Sequence, residues 1–429
     1  MKGENKKMKE KKKGRGLKIT AIVLAVIVAL VAACAVANMI CNKINNNNIK
    51  KFPAVQKEEV LVPVKDENGY WTFTTDRDFK VLQITDVHIG AGWKSMDEDL
   101  KAMNAVAAMV TAEKPDLVIV TGDMSMPVPP FSATLNNKSS AKMFANLMEQ
   151  LGVYWTVVFG NHDTEAYTYF SREEIADVYE NGGYEHCLFE KGPDKVDGYG
   201  NHIINVKNSQ GIITQSLYML DSHAYVDGDI FGLMWKYDNI HENQVEWYKE
   251  NVLKINEINA KKMKELGLHG NADVKSAAFF HIPLTEQQDA WYEYMENGFK
   301  DTANVQRIYG KAGELGRIVM CGEGEDSFFE TVQELGSTKA IFVGHDHDNN
   351  FSIDYKGIRL TCGMSIDYLA YIGIEKRGSQ RGCTVITFDP QGNFDCHAEN
   401  YYQDKYVTTF PKEVVEMQEI VEQSTYKAR

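Results

Sequence analysis

Five short polar clusters each follow a run of apolar, strand-like residues, and this arrangement constrains the fold more than any other feature of the chain. The apolar runs have the length and composition of buried strands and occupy residues 80–85, 117–121, 154–159, 277–280 and 339–343. The clusters that follow them are Asp86-Val87-His88, Gly122-Asp123, Gly160-Asn161-His162-Asp163, His281 and Gly344-His345-Asp346-His347. In open α/β sheets, ligands bind in the crevice beyond the carboxyl ends of the strands. We therefore expect the five clusters to converge on one site.

Helical patterns separate the predicted strands. The clearest occupy residues 97–113, 140–151, 172–180, 241–266 and 328–335. An early β-α-β order, followed by predicted hairpins at 350–361 and 384–396, indicates an α/β fold with two mixed sheets flanked by helices. No linker divides residues 60–429, so we treat them as one domain.

The clusters resemble, in content and order, the calcineurin-like metallophosphoesterase superfamily, whose pattern is D-x-H, G-D, G-N-H-D/E, a lone H and G-H-x-H. The phrases LDSH at 220–223, AAFFHIPL at 277–284 and GHDHDNNF at 344–351 are similar to the purple-acid-phosphatase-related branch. The resemblance implies a four-layer α/β/β/α sandwich with a dinuclear metal site at the carboxyl ends of the strands. It also implies hydrolysis of a phosphoester bond by a metal-bound hydroxide.

The resemblance further implies two sets of metal ligands that share one carboxylate. The first set is Asp86, His88, Asp123 and His347, and the second is Asp123, Asn161, His281 and His345. Mixed imidazole and carboxylate ligands suit Zn, Mn or Fe rather than the all-oxygen shells of Ca or Mg. The expected cofactor is therefore a pair of divalent or trivalent ions of Fe, Mn or Zn.

His162 lies beside a predicted ligand but is outside the ligand set. The family resemblance implies that it protonates the leaving-group oxygen or stabilises the charged phosphoryl group, with Asp163 or another carboxylate fixing its tautomer. His162 and Asp163 are thus the predicted catalytic residues. Purple members of the superfamily carry a tyrosine three residues after the bridging aspartate, where this chain has Met126, so the tyrosinate-to-iron colour is not expected.

The ligand pattern does not separate the possible phosphoester substrates, because substrate selection depends on loops such as 127–138 and 182–200. Our first hypothesis is a phosphomonoesterase, and the alternative is a phosphodiesterase or nucleotidase. A non-catalytic surface binding module is less favoured, since no expected ligand is missing. Phosphoprotein, nucleotide, sugar phosphate, lipid headgroup and wall polymer all remain open as substrate classes.

Charge is divided unevenly along the chain. The whole sequence has 46 Lys and Arg against 60 Asp and Glu, a formal net charge of −14, yet its first eighteen residues are strongly basic. The predicted catalytic part is therefore more acidic than the total suggests. Because a nucleic-acid-binding surface needs a basic footprint, we expect none here.

An apolar run at residues 19–41 follows the basic segment at 1–18 and is long enough for one transmembrane helix. Basic residues before the run predict a single-pass membrane protein with its N-terminus in the cytoplasm and its catalytic domain outside. Two alternatives stay open. Small residues at 35–37 offer a signal-peptidase site, which would give a secreted protein, and Cys34 lies in a sequence that resembles a bacterial lipobox, which would give a lipoprotein.

The predicted organisation has four parts. A basic cytoplasmic segment (1–18) precedes a transmembrane helix or signal anchor (19–41), a polar linker (42–59) and the catalytic domain (60–429). The domain is expected to begin with a hairpin whose turn is Asn68-Gly69.

Overall fold

Two mixed β-sheets form the centre of the fold in the computed structural model, which describes residues 2–314, 319–324, 326–371, 373–374 and 381–413. The strands are β1 (Val64–Lys65), β2 (Trp71–Thr74), β3 (Phe79–Ile84), β4 (Leu117–Thr121), β5 (Tyr154–Val158), β6 (His202–Lys207), β7 (Ile213–Met219), β8 (Lys275–Phe279), β9 (Val305–Tyr309), β10 (Thr338–Val343), β11 (Ser352–Tyr355), β12 (Ile358–Cys362), β13 (Gly382–Phe388) and β14 (Phe394–Asn400). The helices are α1 (Lys2–Ile49), α2 (Met96–Glu113), α3 (Pro129–Ser132), α4 (Asn137–Leu151), α5 (Arg172–Asn181), α6 (Glu242–Glu265), α7 (Thr285–Glu296) and α8 (Phe328–Leu335).

Each sheet combines a set of adjacent parallel strands with antiparallel strands beside it. The larger sheet has the order β1-β2-β6-β7-β8-β10-β12-β11-β9, and the smaller has β14-β13-β3-β4-β5. Strands β7, β8, β10 and β12 are parallel in the first, and β3, β4 and β5 are parallel in the second. The carboxyl ends of each parallel set therefore meet at one edge of its sheet, which is where the predicted clusters lie.

Three hydrophobic cores establish the layers. Phe79 and Ile119 of the smaller sheet pack between the sheets against Phe279 and Phe342 of the larger one. On the other side of the smaller sheet, a second core contains side chains from α2, α4 and α5. A third core joins the larger sheet to α6, α7 and α8. The order of layers is α/β/β/α, which confirms the predicted fold class.

Local sequence signals account for the boundaries of α4 and the start of α5. The side chain of Asn136 accepts a hydrogen bond from the backbone N–H of Ser139 at the start of α4, and Gly152 ends that helix in a left-handed conformation. Ser171 and Glu174 form a capping box at the start of α5. Helix α7 was not predicted, because its buried face consists of few residues within a polar sequence.

Helix α1 continues well beyond the apolar run. Among the described residues it is the one helix long and apolar enough to cross a membrane, with a mean hydropathy of 3.0 in its most apolar window. A signal sequence would satisfy the same criterion. The side chains of residues 17–33 are all exposed, whereas contacts with the rest of the chain begin at Cys34.

The predicted linker at 42–59 does not run free of the domain. Helix α1 extends to Ile49 and packs against α2 and α4, and both Ile49 and Phe52 are buried in the core that covers the smaller sheet. Asparagines that favoured a tether bind to the domain instead. Asn45 Nδ2 donates to the carbonyl of Met96 at 3.0 Å, and Asn46 Oδ1 accepts from Asn146 at 2.8 Å. Composition alone did not reveal these partners.

The hairpin predicted at the start of the domain is present in a shorter form. Strands β1 and β2 pair antiparallel over two residues each, Val64 with Thr72 and Lys65 with Trp71. Gly69 lies in the turn with φ of 87°, and its N–H donates to the carbonyl of Asp66.

Candidate metal centre

The five polar clusters lie together at the carboxyl ends of β3, β4, β5, β8 and β10. One ligand atom each from Asp86, His88, Asp123 and His347 lies within 4.8 Å of the others, and the same holds for Asp123, His281 and His345. These residues are buried, and Asp123 belongs to both groups. The structure thus assembles the imidazole and carboxylate residues into the two predicted sets.

The first group gathers two carboxylate oxygens and two imidazole nitrogens. His347 Nε2 is 3.3 Å from Asp86 Oδ1, and His88 Nε2 is 3.5 Å from Asp123 Oδ2. The other oxygens of these carboxylates are already engaged. Asp86 Oδ2 accepts from Thr85 Oγ1 at 2.6 Å, and Asp123 Oδ1 accepts from the N–H of His162 at 2.8 Å. One free oxygen of each aspartate therefore faces the imidazoles.

The second group surrounds His281 Nε2. This nitrogen is 3.2 Å from Asp123 Oδ2, 3.2 Å from Asn161 Oδ1 and 3.2 Å from His345 Nδ1. The Nδ1 atom of His281 is 2.8 Å from the carbonyl of Thr121, so it carries the ring proton and leaves a lone pair on Nε2. The amide nitrogen of Asn161 donates to the hydroxyl of Tyr225 at 2.9 Å, which directs the amide oxygen towards His281. Asn161 thus joins this group as predicted from the sequence.

Unpaired buried atoms at the centre indicate what the two groups can hold. Asp86 Oδ1, Asp123 Oδ2 and His88 Nε2 are buried and have no hydrogen-bond partner among the described residues. Buried polar atoms without a partner are rare and costly. Lone pairs that face one another in this way repel unless a cation lies between them. The residues present therefore fit two metal ions, and Asp123 belongs to both groups of residues that would hold them.

A further carboxylate, which the sequence analysis missed, orients two of these imidazoles. Asp367 Oδ1 is 3.3 Å from His88 Nδ1, and Asp367 Oδ2 is 3.0 Å from His347 Nδ1. Backbone N–H groups of residues 369–371 donate to the same carboxylate. Each imidazole therefore carries its proton on Nδ1 and presents Nε2 to the centre. The sequence offered one sign of this role: Asp367 follows β12, which pairs in parallel with β10, so its loop lies at the same edge of the sheet as the ligands after β10.

The electrostatics of the centre follow from these pairs. Burial favours the neutral form of Asp367, but His88 and His347 hold the pKa of its carboxyl well below the usual range. Burial lowers the pKa of His88, and Asp367 together with Asp123 raises it to about 9. Burial and the neighbouring His281 lower the pKa of His345 well below its usual range. Metal binding at His88 would displace a proton, so it becomes more favourable as the pH rises.

Of the carboxylates considered for His162, Glu165 and not Asp163 contacts its ring. His162 Nδ1 is 2.8 Å from Glu165 Oε1, so Glu165 fixes its tautomer. The carboxylate of Asp163 instead accepts backbone N–H groups of Gly160, Asp123 and Ser125, at 2.8, 3.1 and 2.8 Å. Burial and the charge of Asp123 raise the pKa of Asp163 to about 6 despite those donors. Asp163 therefore joins two ligand-bearing loops rather than serving as the partner of His162.

Backbone strain is concentrated at the ligands. Asp86, His88, Asp123 and His345 have φ angles of 52°, 54°, 50° and 76°. Such left-handed conformations are uncommon for residues with a side chain and cluster at functional sites, each at a cost of about 1–3 kcal/mol. The surrounding sheets hold the ligands in place against this cost.

Two glycines of the motifs leave room for the ligands. Gly122 has φ of 86°, and a Cβ atom there would lie 2.4 Å from Nδ1 of His281. A Cβ atom on Gly160 would lie 2.1 Å from Oδ1 of Asp123. No neighbouring atom can approach so closely, so both positions require glycine. The glycine in G-D thus lets loops of the two sheets approach each other, and the glycine in G-N-H does the same for loops after the neighbouring strands β4 and β5.

The segment LDSH at 220–223 makes hydrogen bonds that hold the ligand-bearing loops in position. Asp221 is buried, pairs with Arg172 and accepts the N–H of Tyr199 at 2.8 Å. Arg172 Nη2 in turn donates to the carbonyl of Gly160 at 2.8 Å. Ser222 Oγ accepts the N–H of Ile282, next to His281, at 2.9 Å. This segment therefore connects the loops that carry two predicted ligands.

Three tyrosines that the sequence analysis did not single out surround the imidazoles. The ring centroid of Tyr237 is 4.2 Å from that of His345, and the ring centroid of Tyr371 is 4.3 Å from that of His347. Tyr225 stacks on Tyr237, and its hydroxyl donates to Glu165 at 3.0 Å. Aromatic walls of this kind restrict the space available to a substrate.

Comparisons with known proteins find a family model and several similar proteins. Residues 79–349 match the family model described as calcineurin-like phosphoesterase. The chain is 26% identical to "Probable inactive purple acid phosphatase 29" of Arabidopsis thaliana, over 76% of this chain and 81% of that protein. It is 32% identical to "Phosphatase DCR2" of Saccharomyces cerevisiae, over 65% of this chain and 46% of that protein. A dimetal phosphatase from Danio rerio has a solved structure that aligns with 76% of this chain and 98% of its own, at 10% identity and a TM-score of 0.44.

Replacing Asp367 with alanine should lower metal affinity by about 10- to 100-fold, the usual effect of removing a carboxylate that orients ligating imidazoles. Competition with a chelating dye measures the affinity. Asp177→Ala is the control, because Asp177 is half-exposed and pairs with Lys191 on the surface of α5. Equal affinities in both variants would contradict the proposed orientation of His88 and His347.

Proposed function

Because the chain belongs to the calcineurin-like phosphoesterase family, we propose that it catalyses metal-dependent hydrolysis of phosphoester bonds, with phosphomonoesters as its substrates. The observation that carries this proposal is the convergence of two complete ligand groups on Oδ2 of Asp123, with unpaired lone pairs facing one another. The proposed ligands are Asp86, His88, Asp123, Asn161, His281, His345 and His347. Phosphodiester hydrolysis is the alternative that the substrate test below distinguishes.

The side chains of the centre have separate tasks in this proposal. A pair of bound cations would act as Lewis acids on phosphoryl oxygens and would lower the pKa of water. The carboxylates of Asp86 and Asp123 supply negative charge to hold the cations, and each keeps its second oxygen in a hydrogen bond that fixes its orientation. Asp367 keeps the Nε2 lone pairs of two imidazoles directed at the centre.

His162 is the proposed general acid. Its imidazole is 27% exposed at the edge of the first ligand group, with its ring centroid 5.6 Å from that of His88. Glu165 accepts the Nδ1 proton, so Nε2 is the nitrogen that exchanges a proton with the leaving-group oxygen. The hydroxyl of Tyr225 donates to Glu165 and keeps that carboxylate in position.

The word "inactive" in the plant relative's name raises the alternative of a binding module without catalysis. Three features of this chain support catalysis. Its ligand groups are complete, its ligand loops are strained, and a solvent-accessible imidazole is paired with a buried carboxylate beside the centre. A module that only binds has no need for the pair formed by His162 and Glu165.

The activity is tested with the full chain in detergent, because truncation at residue 50 would remove Ile49 from the core. Nitrophenyl phosphate and bis-nitrophenyl phosphate are compared with added Mn, Zn or Fe. We expect about two ions per chain, faster turnover of the monoester, and loss of metal and activity in Asp123→Asn. Asp177→Asn is the control. Full activity after complete chelation would refute the proposal, and a preference for the diester would reverse the substrate assignment.

Replacing His162 with alanine should retain both metal ions and slow the chemical step by about 10² to 10⁴-fold, the usual size of a general-acid effect. The loss should be smaller for nitrophenyl phosphate than for an alkyl phosphate, because a nitrophenolate departs without protonation. Glu165→Gln should also slow hydrolysis of the alkyl phosphate more than that of nitrophenyl phosphate, but both rates should fall less than in His162→Ala. Equal losses on both substrates would make His162 a charge stabiliser, and loss of metal would make it a support for the ligands.

The proposed location is the outer face of the cytoplasmic membrane, with α1 as a single span. The basic residues before the apolar run favour a cytoplasmic N-terminus. Protease added to intact cells should therefore degrade the catalytic domain, while a cytoplasmic marker protein stays intact. Digestion only after lysis would reverse the orientation. Release of a shorter soluble form would instead indicate cleavage of the apolar segment or of its flank.

A further inference from the structure

The apolar part of α1 leaves the domain on the face that carries the metal centre. Asn38 Nδ2 donates to the carbonyl of Ala133 at 2.9 Å, and Asn38 Oδ1 accepts the N–H of Trp93 at 2.9 Å. Trp93 follows the ligands after β3, and Ala133 follows the ligand after β4. Both contacts thus lie beyond the carboxyl ends of these strands, where the ligand loops are. The apolar segment extends away from this face rather than from the opposite one.

The length of the exposed part of α1 determines how close the domain must lie to a bilayer that α1 crosses. Residues 17–33 are exposed along one continuous helix, and they span about 25 Å at 1.5 Å per residue. That length is close to the thickness of a bilayer's hydrocarbon core, which is about 30 Å. Little helix therefore remains between the membrane and the first contacts with the domain at Cys34 and Asn38. With α1 as the proposed span, the face with the ligand loops would lie against the membrane surface.

A loop on the same face presents apolar side chains to solvent. It follows β7 and returns to the centre through an antiparallel bridge between Tyr225 and Tyr237, the two stacked tyrosines beside the ligands. We call residues 230–235 the apolar loop. Its large side chains have exposed fractions between 53% and 82% and are Ile230, Phe231, Leu233, Met234 and Trp235.

The apolar loop is held in shape although its side chains are exposed. Asp229 is buried, and its carboxylate accepts the N–H groups of Met234 and Lys236 at 3.0 and 3.1 Å. A second exposed pair, Trp93 and Phe131, lies where α1 leaves the domain. Several large apolar side chains exposed on one face mark an interaction surface. Tryptophan and phenylalanine are typical of surfaces that enter the interface of a membrane.

We propose that the apolar loop, with Trp93 and Phe131, inserts into the bilayer that α1 crosses, and that the centre acts on phosphomonoesters carried by membrane lipids. The substrate class rests on the proposed phosphoester hydrolysis and on α1 as an uncleaved span. The bilayer is the occupant because the exit point of α1 brings it against this face. A phosphate on a lipid headgroup is then presented directly to the ligand loops between the anchor and the apolar loop.

The test uses the full chain in lipid nanodiscs that contain a lipid phosphomonoester, with nitrophenyl phosphate as the soluble substrate. Brominated acyl chains quench tryptophan inside a bilayer, and subtracting the signal of Trp235→Phe isolates the contribution of Trp235. We expect that contribution to be quenched. Leu233→Glu should lower the ratio of lipid to soluble turnover by about tenfold, the factor expected from losing the burial of one large apolar side chain.

Leu268→Glu is the matched control. Leu268 is 41% exposed and precedes β8, so it lies at the amino end of that strand, away from the ligand loops. Its ratio of lipid to soluble turnover should equal that of the unchanged chain. An equal fall in both glutamate variants would overturn the inference.

The remaining outcomes separate this inference from the proposed function. Hydrolysis of nitrophenyl phosphate without quenching of Trp235 would overturn docking on the bilayer. The apolar loop would then be a contact surface for a protein partner or for a second copy of the chain. Quenching without hydrolysis of either substrate would overturn the proposed function and the lipid substrate with it, while supporting the docking. Hydrolysis with quenching but no turnover of the lipid substrate would overturn the substrate class.

Discussion

The carboxylate of Asp123 is the group on which the arrangement of the centre depends. Its Oδ1 accepts the N–H of His162 from the loop after β5, and its Oδ2 faces His88 and His281 from two different sheets. Asp123 thus lies where the carboxyl ends of the two sheets meet. Gly160 has no Cβ, and this absence allows the two loops to approach closely enough. The rest of the centre is built around that contact.

Motif residues were predictable because their positions follow from strand ends. A short apolar run followed by Asp86 or His281 predicts both a buried strand and the edge where it stops, and parallel pairing brings such edges together. Asp367 and Glu165 were not predictable in the same way. Asp367 lies several residues beyond β12, and Glu165 lies within a short turn, so only the folded backbone brings them to His88 and His162. Carboxylates are common in loops, and spacing alone does not identify which of them pairs with an imidazole.

The region before the domain illustrates the same limit. Four consecutive asparagines favoured a flexible tether by composition, yet helix α1 runs through them to Ile49. Composition describes the intrinsic preference of a segment, whereas burial of Ile49 and Phe52 and the hydrogen bonds of Asn45 decide the outcome. As a consequence, α1 is attached rigidly at its exit from the domain. A flexible tether would have left the orientation of the catalytic face undefined, whereas a continuous helix defines it.

The centre is also a local source of instability that metal binding relieves. Four ligands have left-handed backbone conformations, and three buried polar atoms that face the centre have no hydrogen-bond partner among the described residues. Each feature opposes folding. Cations that bind the folded chain more tightly than the unfolded chain offset these costs by mass action. Apolar side chains of the parallel strands β3, β4, β8 and β10 pack between the sheets, and Gln83 Nε2 of β3 donates to the carbonyl of Val343 of β10 at 2.9 Å. These contacts hold the ligand loops in place before a cation arrives. The sandwich is therefore rigid enough to hold the repelling lone pairs of the two ligand groups close together at one edge. Bound ions would then stabilise that arrangement.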